Sequence, residues 1–153
     1  MKRIRQVYLD TSVVGGCFDE EFEKYSNLLF EKFIAGEFTA LVSEITTAEL
    51  AYAPETVKNK LETIPASHIK LLRRTPYADT LADAYIKAKA VPRSMYADAL
   101  HIAIATVEHA DVVVSWNFKH IVNLNRINAF NAVNLREGYG AIEIRTPREV
   151  LDV

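Results

Sequence analysis

The sequence predicts an α/β protein with a three-layer α/β/α arrangement, in which helices cover both faces of a central, mostly parallel sheet. The first observation is that short apolar runs alternate with longer segments of helical spacing along the whole chain. The second is that runs such as "VYL" and "VVV" are apolar without interruption, as strands buried on both faces should be. The third is a length of 153 residues that are 50% hydrophobic, which suits one core and a single domain spanning residues 1–153.

The first half of the chain alternates strands and helices that end at glycine or proline. Its first helix opens with three acidic residues, as a helix N-terminus prefers, and stops at Gly36. Ser43 can cap the next helix, which Pro54 ends, and Pro65 ends the one after it. In chain order, the predicted elements are a strand at 6–9, a helix at 19–36, a strand at 38–43, helices at 44–53 and 55–64, and a strand at 68–73.

The second half continues the alternation. Pro92 separates two helices, and Ser94 offers an N-cap for the second of them. At the end of the chain, Thr146, Pro147 and Glu149 match a capping box with proline at the first helical position. The predicted elements are helices at 77–91 and 95–110, a strand at 111–116, a helix at 125–138, a strand at 141–145 and a last helix from 146.

Composition and charge exclude several classes of protein. The net charge of −2 does not indicate a general nucleic-acid binder, and no apolar run approaches the roughly 18–20 residues of a membrane span. The N-terminus is apolar for only three residues, too few for a secretory signal. A single cysteine, Cys17, excludes an internal disulfide and a thiolate metal cage, and we expect it to be structural. Together these features predict a cytoplasmic protein that does not enter membranes.

Three acidic residues stand in apolar surroundings. Asp10 follows the first strand, Glu49 lies on the helix after the second strand, and Asp98 opens a long apolar helix. Each has a plain alternative: Asp10 could cap the next turn, Glu49 could face solvent, and Asp98 could simply be stabilised by the dipole at the helix N-terminus. Because ligands bind outside the carboxyl ends of parallel strands, we expect all three to converge at that edge of the sheet.

Converging carboxylates repel one another, and a divalent cation removes that conflict. A ligand set made only of oxygen favours Mg²⁺ or Mn²⁺ over zinc. A hard cation with open coordination positions suits phosphoryl chemistry, since it can activate water and stabilise a leaving oxygen.

The sequence resembles the PIN-domain family over nearly its whole length. The resemblance rests on "VYLDTSVV", "SEITTAEL", "ADALHIAIA" and "ADVVVSWNFKHI", which occur in the order that the family has. The VapC-type toxins of toxin–antitoxin pairs are the subgroup most similar to it. The resemblance implies a PIN-like fold and a metal-dependent endoribonuclease acting on single-stranded or looped RNA. It also implies a homodimer that is neutralised by a small antitoxin. The antitoxin would lie in a hydrophobic groove of this chain, which the aromatic-rich segment 22–33 could line.

The resemblance carries over to individual residues. The conserved acids correspond to Asp10, Glu49 and Asp98, and Ser12 corresponds to a hydroxyl that orders the first acid or the attacking water. Many members have a fourth acid where this chain has Asn117. Asn117 is therefore either a neutral ligand of the ion, a cap for the turn that follows it, or the mark of a non-catalytic domain that binds RNA or a protein.

The hypothesis for catalysis is that Asp10 and Asp98 bind Mg²⁺ or Mn²⁺, with Glu49 as a further ligand or as the base for the attacking water. RNA would be held by basic side chains, foremost Arg93, then Lys119 and, by contact with phosphate, an exposed His120. The wider basic surface comprises Lys58, Lys60, Lys70, Arg73, Arg74, Lys87, Lys89 and Arg93; its alternative is ordinary solvated helix charge.

Other polar and aromatic residues have simpler interpretations. His101, on the Asp98 helix, is expected to be packed and hydrogen-bonded rather than a ligand. Trp116 and Phe118 could stack on a base, although Trp116 fits a core edge better. A haloacid-dehalogenase phosphatase would need a second Asp where Ser12 stands, and Gly15 and Gly16 are too few for a nucleotide-binding loop.

Overall fold

The computed structural model describes residues 3–151 and contains a five-stranded sheet in the order β3-β2-β1-β4-β5. Every neighbouring pair in this sheet is parallel. The predicted α/β class with a central parallel sheet is thus confirmed. The strands are β1 (Arg5–Leu9), β2 (Phe38–Ser43), β3 (Ile69–Leu72), β4 (Val112–Val114) and β5 (Glu143–Arg145).

Helices connect consecutive strands, and short 3₁₀ turns occupy 59–63, 66–68 and 93–95. The α-helices are α1 (Thr11–Gly16), α2 (Glu23–Ile34), α3 (Glu44–Leu50), α4 (Glu55–Lys58), α5 (Pro76–Lys87), α6 (Tyr96–Val107), α7 (Leu124–Arg136) and α8 (Pro147–Leu151).

Alternate residues of the strands point to opposite faces of the sheet, which creates two cores. Tyr8 is in register with Leu41 and Val113, and these side chains are buried against α5, α6 and α7. Their neighbours in the strands, such as Val7 and Val112, are buried on the other face against α1, α2, α3 and α8. The predicted three layers follow from this alternation.

The sheet order creates a switch point beside β1. The chain places β2 and β3 on one side of β1 and then crosses to place β4 on the other side. The carboxyl ends of β1 and β4 therefore flank the position where open parallel sheets bind ligands. No helix within residues 3–151 is long and apolar enough to cross a membrane.

Several predicted boundaries are corrected. The helix predicted at 19–36 begins at Glu23, because Asp19 and the two acids after it form a turn in which the Asp19 carboxylate accepts from the Glu21 N–H. The helix predicted at 55–64 is a short α4 followed by a 3₁₀ turn. Ser94 is not the cap of α6, since it lies inside the 3₁₀ turn that runs directly into that helix.

The helix-ending and capping predictions are confirmed at three positions. Gly36 follows α2 with φ of 77°, a conformation that favours glycine. The Ser43 hydroxyl accepts from the Ile45 N–H and begins α3. Thr146 and Glu149 exchange hydrogen bonds as a capping box at the start of α8.

Candidate active site

Asp10 lies at the carboxyl end of β1 and is only 4% exposed. Its two carboxylate oxygens accept hydrogen bonds from the Ser12 and Ser115 hydroxyls, at 2.5 and 2.9 Å. These hydroxyls accept in turn from the backbone N–H groups of Trp116 and Asn117, so both serines are oriented toward the acid. Burial raises the pKa of Asp10, helped by the charge of Asp98 and opposed by His101 and the two serines.

Asp98 lies in the first turn of α6, where its side chain is 16% exposed. The Asn117 amide nitrogen donates to Asp98 Oδ2 over 3.3 Å, and His120 Nδ1 lies 3.9 Å from the same oxygen. Burial raises the pKa of Asp98, with a further rise from the charge of Glu49, against the lowering effects of His101 and Asn117. A bare carboxylate is therefore disfavoured at this position as well as at Asp10.

Glu49 lies on α3 and points toward the start of α1 and toward α6. Its Oε1 accepts hydrogen bonds from Thr11 Oγ1 at 2.7 Å and from His101 Nε2 at 2.6 Å. Burial alone would raise the pKa of Glu49, but the hydrogen bond and charge of His101, together with Thr11, outweigh it and lower that pKa. Glu49 is thus held as a carboxylate while its two acidic neighbours resist ionisation.

His101 is 1% exposed and links Glu49 to the interior. Its Nδ1 lies 2.7 Å from the Tyr8 hydroxyl, which lies 2.7 Å from Ser43 Oγ. A carboxylate can only accept, so Nε2 carries the proton that bonds Glu49, and Tyr8 holds the other side of the ring. The prediction that His101 is packed and hydrogen-bonded is confirmed, and its contacts add that it orients Glu49.

Asn117 occupies the position where an acid would be expected. Its Oδ1 accepts from the His120 N–H at 3.0 Å, which caps the turn after β4, while its amide nitrogen faces Asp98. In this orientation Asn117 caps the turn and donates to Asp98, and its role as a ligand stays a prediction. His120 was expected to be exposed, which is wrong: it is buried beside Asp98, because Asn117 folds the turn back over it.

The donor set fits a hard divalent cation. The hydrogen bonds and contacts to Glu49 and Asp98 reach only Oε1 and Oδ2, so no described residue donates to Glu49 Oε2 or Asp98 Oδ1. Within residues 3–151, no group of three or more His, Cys, Asp or Glu side chains is arranged to hold a metal ion. An ion would then be held by one or two carboxylates and complete its shell with water and substrate oxygens, as Mg²⁺ commonly does.

The predicted basic surface is divided by the structure. Lys58 and Arg74 form ion pairs with Glu55 and Asp79, while Lys60 lies over aromatic rings. Arg93 and Lys119 are exposed near the acidic edge, on the turn before α6 and on the turn after β4. These two remain available to a ligand, and their contact with RNA stays a prediction.

Trp116 forms a core edge, as predicted. Its indole N–H donates to Ser26 Oγ at 2.8 Å, and its ring stacks on Phe22 with 4.5 Å between ring centroids. Phe118 is 52% exposed and tilts against both rings. Cys17 is buried with its thiol directed at the Val13 carbonyl, which confirms a structural role.

Sequence reasoning missed three residues of this site: Tyr8, Thr11 and Ser115. Ser115 had a usable signal, because it follows β4 as Asp10 follows β1 and the two strands are adjacent. Thr11 and Tyr8 flank Asp10 in sequence, but their partners lie 38 and 93 residues away.

Several solved structures of known proteins are similar to this chain. Among solved structures, the chain is similar to VapBC2 from Rickettsia felis, crystallised with a DNA fragment from the promoter, with 18% identity, a TM-score of 0.58, and 92% of this chain and 98% of that chain covered. FitAcB from Neisseria gonorrhoeae is 18% identical, with a TM-score of 0.57, and the match covers 93% of this chain and 98% of that chain. VapC20 of Mycobacterium tuberculosis, a toxin that cleaves the sarcin–ricin loop, is 10% identical, with a TM-score of 0.56. The match covers 89% of this chain and 98% of that chain.

These likenesses show a shared fold. Comparison with curated protein sequences gave no match. The model of the PIN domain family matches residues 7–120, a span that begins in β1 and ends at His120 and so contains all three acids. The chain therefore belongs to the PIN domain family.

Proposed function

We propose that this protein is a Mg²⁺- or Mn²⁺-dependent endoribonuclease and the toxin of a type II toxin–antitoxin pair. The observation that carries the proposal is the placement of Asp10 and Asp98, two acids whose pKa is raised by burial and neighbouring charge, at the carboxyl edge beside Glu49. Acids arranged against their own ionisation are the arrangement that a bound cation stabilises.

Asp10 and Asp98 would hold the ion, and Ser12 and Ser115 keep the Asp10 carboxylate in place. When bound, the ion supplies charge stabilisation to the phosphate and its leaving oxygen. Glu49 stays ionised through its contact with His101 and offers its free Oε2 to accept a proton from the attacking water. Asn117 donates to Asp98 and orients it.

The test is cleavage of a single-stranded RNA oligonucleotide with Mn²⁺, with EDTA, and with two variants. Asp98→Asn should reduce cleavage at least a hundredfold, the scale of a lost catalytic contact, roughly 10²–10³. Glu108→Gln, an exposed acid at the far end of the same helix, should leave cleavage unchanged. Equal cleavage by wild type and Asp98→Asn, or cleavage that persists in EDTA, would contradict the assignment.

Partners follow from the family. VapBC2 was solved bound to a DNA fragment from its promoter. We propose that this chain binds a small antitoxin, forms a homodimer and acts as a single domain on RNA in the cytoplasm. The aromatic-rich segment 22–33 contributes Leu29, Phe30 and Phe33 to the core, where they are buried. Leu28 and Ile34 are the exposed apolar residues that α2 offers to a partner.

A second candidate function is a non-catalytic PIN-fold module that binds RNA or a protein. Asn117 favours this second function. It stands at the fourth acidic position but brings no charge, and its Oδ1 already accepts a hydrogen bond from the His120 N–H in the turn. A Mn²⁺ titration separates the two functions. Binding of Mn²⁺ that Asp98→Asn removes supports the nuclease, and the absence of binding together with intact RNA affinity supports the module.

A further inference from the structure

A surface cavity of about 600 Å³ lies beside the acidic edge, between the end of α5, the turn before α6 and the start of α7. Four of its lining residues are cations and none is acidic: Lys87, Lys89, Arg93 and Arg126. None of the four forms an ion pair with a described carboxylate; the nearest acidic lining is Glu137, in the adjoining cavity that Lys87 also borders. Uncompensated cations around a cavity are the arrangement that binds phosphate groups.

Arg126 is fixed in this cavity by the backbone. Its Nη1 donates to the Ala90 carbonyl at 2.8 Å, and its Nε lies 3.4 Å from the Lys119 carbonyl. The guanidinium therefore joins the loop after α5 to the turn after β4, and its orientation is set before any ligand arrives. A preorganised guanidinium loses little freedom when it binds an oxyanion.

Lys89 is held at a backbone position that favours glycine. Its φ is 61°, and it ends α5 in the same pattern of backbone hydrogen bonds by which Gly36 and Gly138 end α2 and α7. A lysine at this position is strained relative to glycine. The side chain of Lys89 lines the cavity from this position.

The cavity and the acidic edge are neighbours. Arg93 begins the turn that leads directly into α6 and Asp98. Arg126 Nε lies 3.4 Å from the carbonyl of Lys119, the residue before His120, and His120 Nδ1 lies 3.9 Å from Asp98 Oδ2. An RNA strand whose scissile phosphate lies at Asp98 has further phosphates within reach of the cavity.

We propose that Lys87, Lys89, Arg93 and Arg126 form a subsite for the backbone phosphates of the RNA substrate, next to the site of cleavage. This inference deepens the proposed function and rests on it. The subsite reads charge and spacing rather than sequence, and it holds the strand while the three acids act on the adjoining phosphodiester.

Binding of a fluorescein-labelled single-stranded RNA in EDTA, followed by anisotropy across salt concentrations, tests the subsite without cleavage. Replacing Lys87 and Arg93 together by Ala should raise Kd about tenfold and reduce the salt slope by about 1.4, the value for two phosphate contacts on a single strand. Both side chains are exposed, so folding should be preserved. Replacing Lys24 and Lys32 by Ala removes the same charge from α2, outside the predicted basic surface, and should leave both quantities near wild type.

Lys89→Gly and His109→Gly form a second matched pair. His109 ends α6 with φ of 57°, so both substitutions relieve the same strain and should raise Tm. Only Lys89→Gly should weaken RNA binding. Equal affinity of these two variants, or an equal effect of the two double variants, overturns the subsite.

Two further measurements separate the subsite from other outcomes. Inorganic phosphate at matched ionic strength should displace the RNA poorly, and complete displacement at millimolar phosphate would make this a small-anion site instead. Wild-type cleavage with Mn²⁺ combined with unchanged binding of the Lys87/Arg93 variant refutes the subsite alone. No wild-type cleavage combined with weakened binding of that variant refutes the nuclease alone.

Discussion

At the scale of single residues, identical carboxyl groups acquire opposite properties from their neighbours. Asp10 accepts two hydrogen bonds from serines, which lower its pKa, yet the effect of burial is larger and the pKa rises. Glu49 is more exposed, and the buried His101, together with the hydrogen bond from Thr11, lowers its pKa. Environments that push pKa values apart divide acids into different roles. Here they favour ion binding for Asp10 and proton acceptance for Glu49.

Tyr8 should influence cleavage without touching the substrate, because its hydroxyl holds His101, which holds Glu49. Tyr8→Phe should cost about 1–2 kcal/mol of unfolding free energy and should also lower the cleavage rate. Tyr85→Phe is the matched control: Tyr85 is equally buried but hydrogen-bonds Asn134 and Thr106. It should lose similar stability, measured in urea, and keep its cleavage rate. A rate that falls equally in both variants would contradict the positioning role.

The residues that the sequence could predict are those with a local pattern. Asp10 and Asp98 interrupt apolar segments, and Glu49 follows the second strand, so all three were found without a structure. The pairing of His101 with Glu49 joins positions 52 residues apart, and that of Ser115 with Asp10 joins positions 105 apart. Such contacts depend on strand order and helix packing, which no local pattern contains.

At the scale of elements, α1 is the helix that sequence patterns failed to predict. Its sequence, TSVVGG, combines β-branched residues with two glycines and has poor intrinsic helix propensity. Packing forms it: Val13 and Val14 are buried against the sheet, and the Ser26 hydroxyl binds the Val13 carbonyl. Because Thr11 and Ser12 begin this helix, its packing also fixes the donors to Glu49 and Asp10.

The two glycines of α1 should respond oppositely to alanine. A Cβ on Gly16 would lie 2.6 Å from Ser26 Oγ and 2.9 Å from the Trp116 ring, whereas a Cβ on Gly15 would meet nothing within 4 Å. Gly16→Ala should therefore destabilise the protein by about 1–3 kcal/mol through overpacking. Gly15→Ala should stabilise it by about 0.5–1 kcal/mol, since alanine loses less backbone freedom in a helix. Thermal unfolding of both variants checks the pair, and changes of the same sign would refute the close contact.

At the scale of the whole molecule, the parallel sheet gathers negative charge at one edge. Each strand ends where a helix or turn begins, so Asp10, Glu49 and Asp98 arrive from three segments and their mutual repulsion belongs to the fold itself. Repulsion among fixed acids lowers stability, and proteins retain it where function requires it. The folded chain without an ion should then be less stable than a variant that lacks the charge of Asp98, whose pKa is raised, whereas Glu49, whose pKa is lowered, should not show this gain.

This repulsion predicts a thermal signature that does not depend on activity. The pKa of Asp98 is raised in the folded protein, so its ionised form is destabilising above that pKa, and a neutral amide removes the effect while still accepting from Asn117. In EDTA at neutral pH, Asp98→Asn should raise Tm by about 2–4 °C, the change that about 1 kcal/mol produces in a domain of this size. Mn²⁺ should reverse the order. At a hundred times its Kd the ion adds about 2.7 kcal/mol to the wild type, and it should add much less to the variant. If Mn²⁺ does not change the Tm of the wild type, or if Asp98→Asn is less stable than the wild type in EDTA, the acids at this edge are not arranged for a cation.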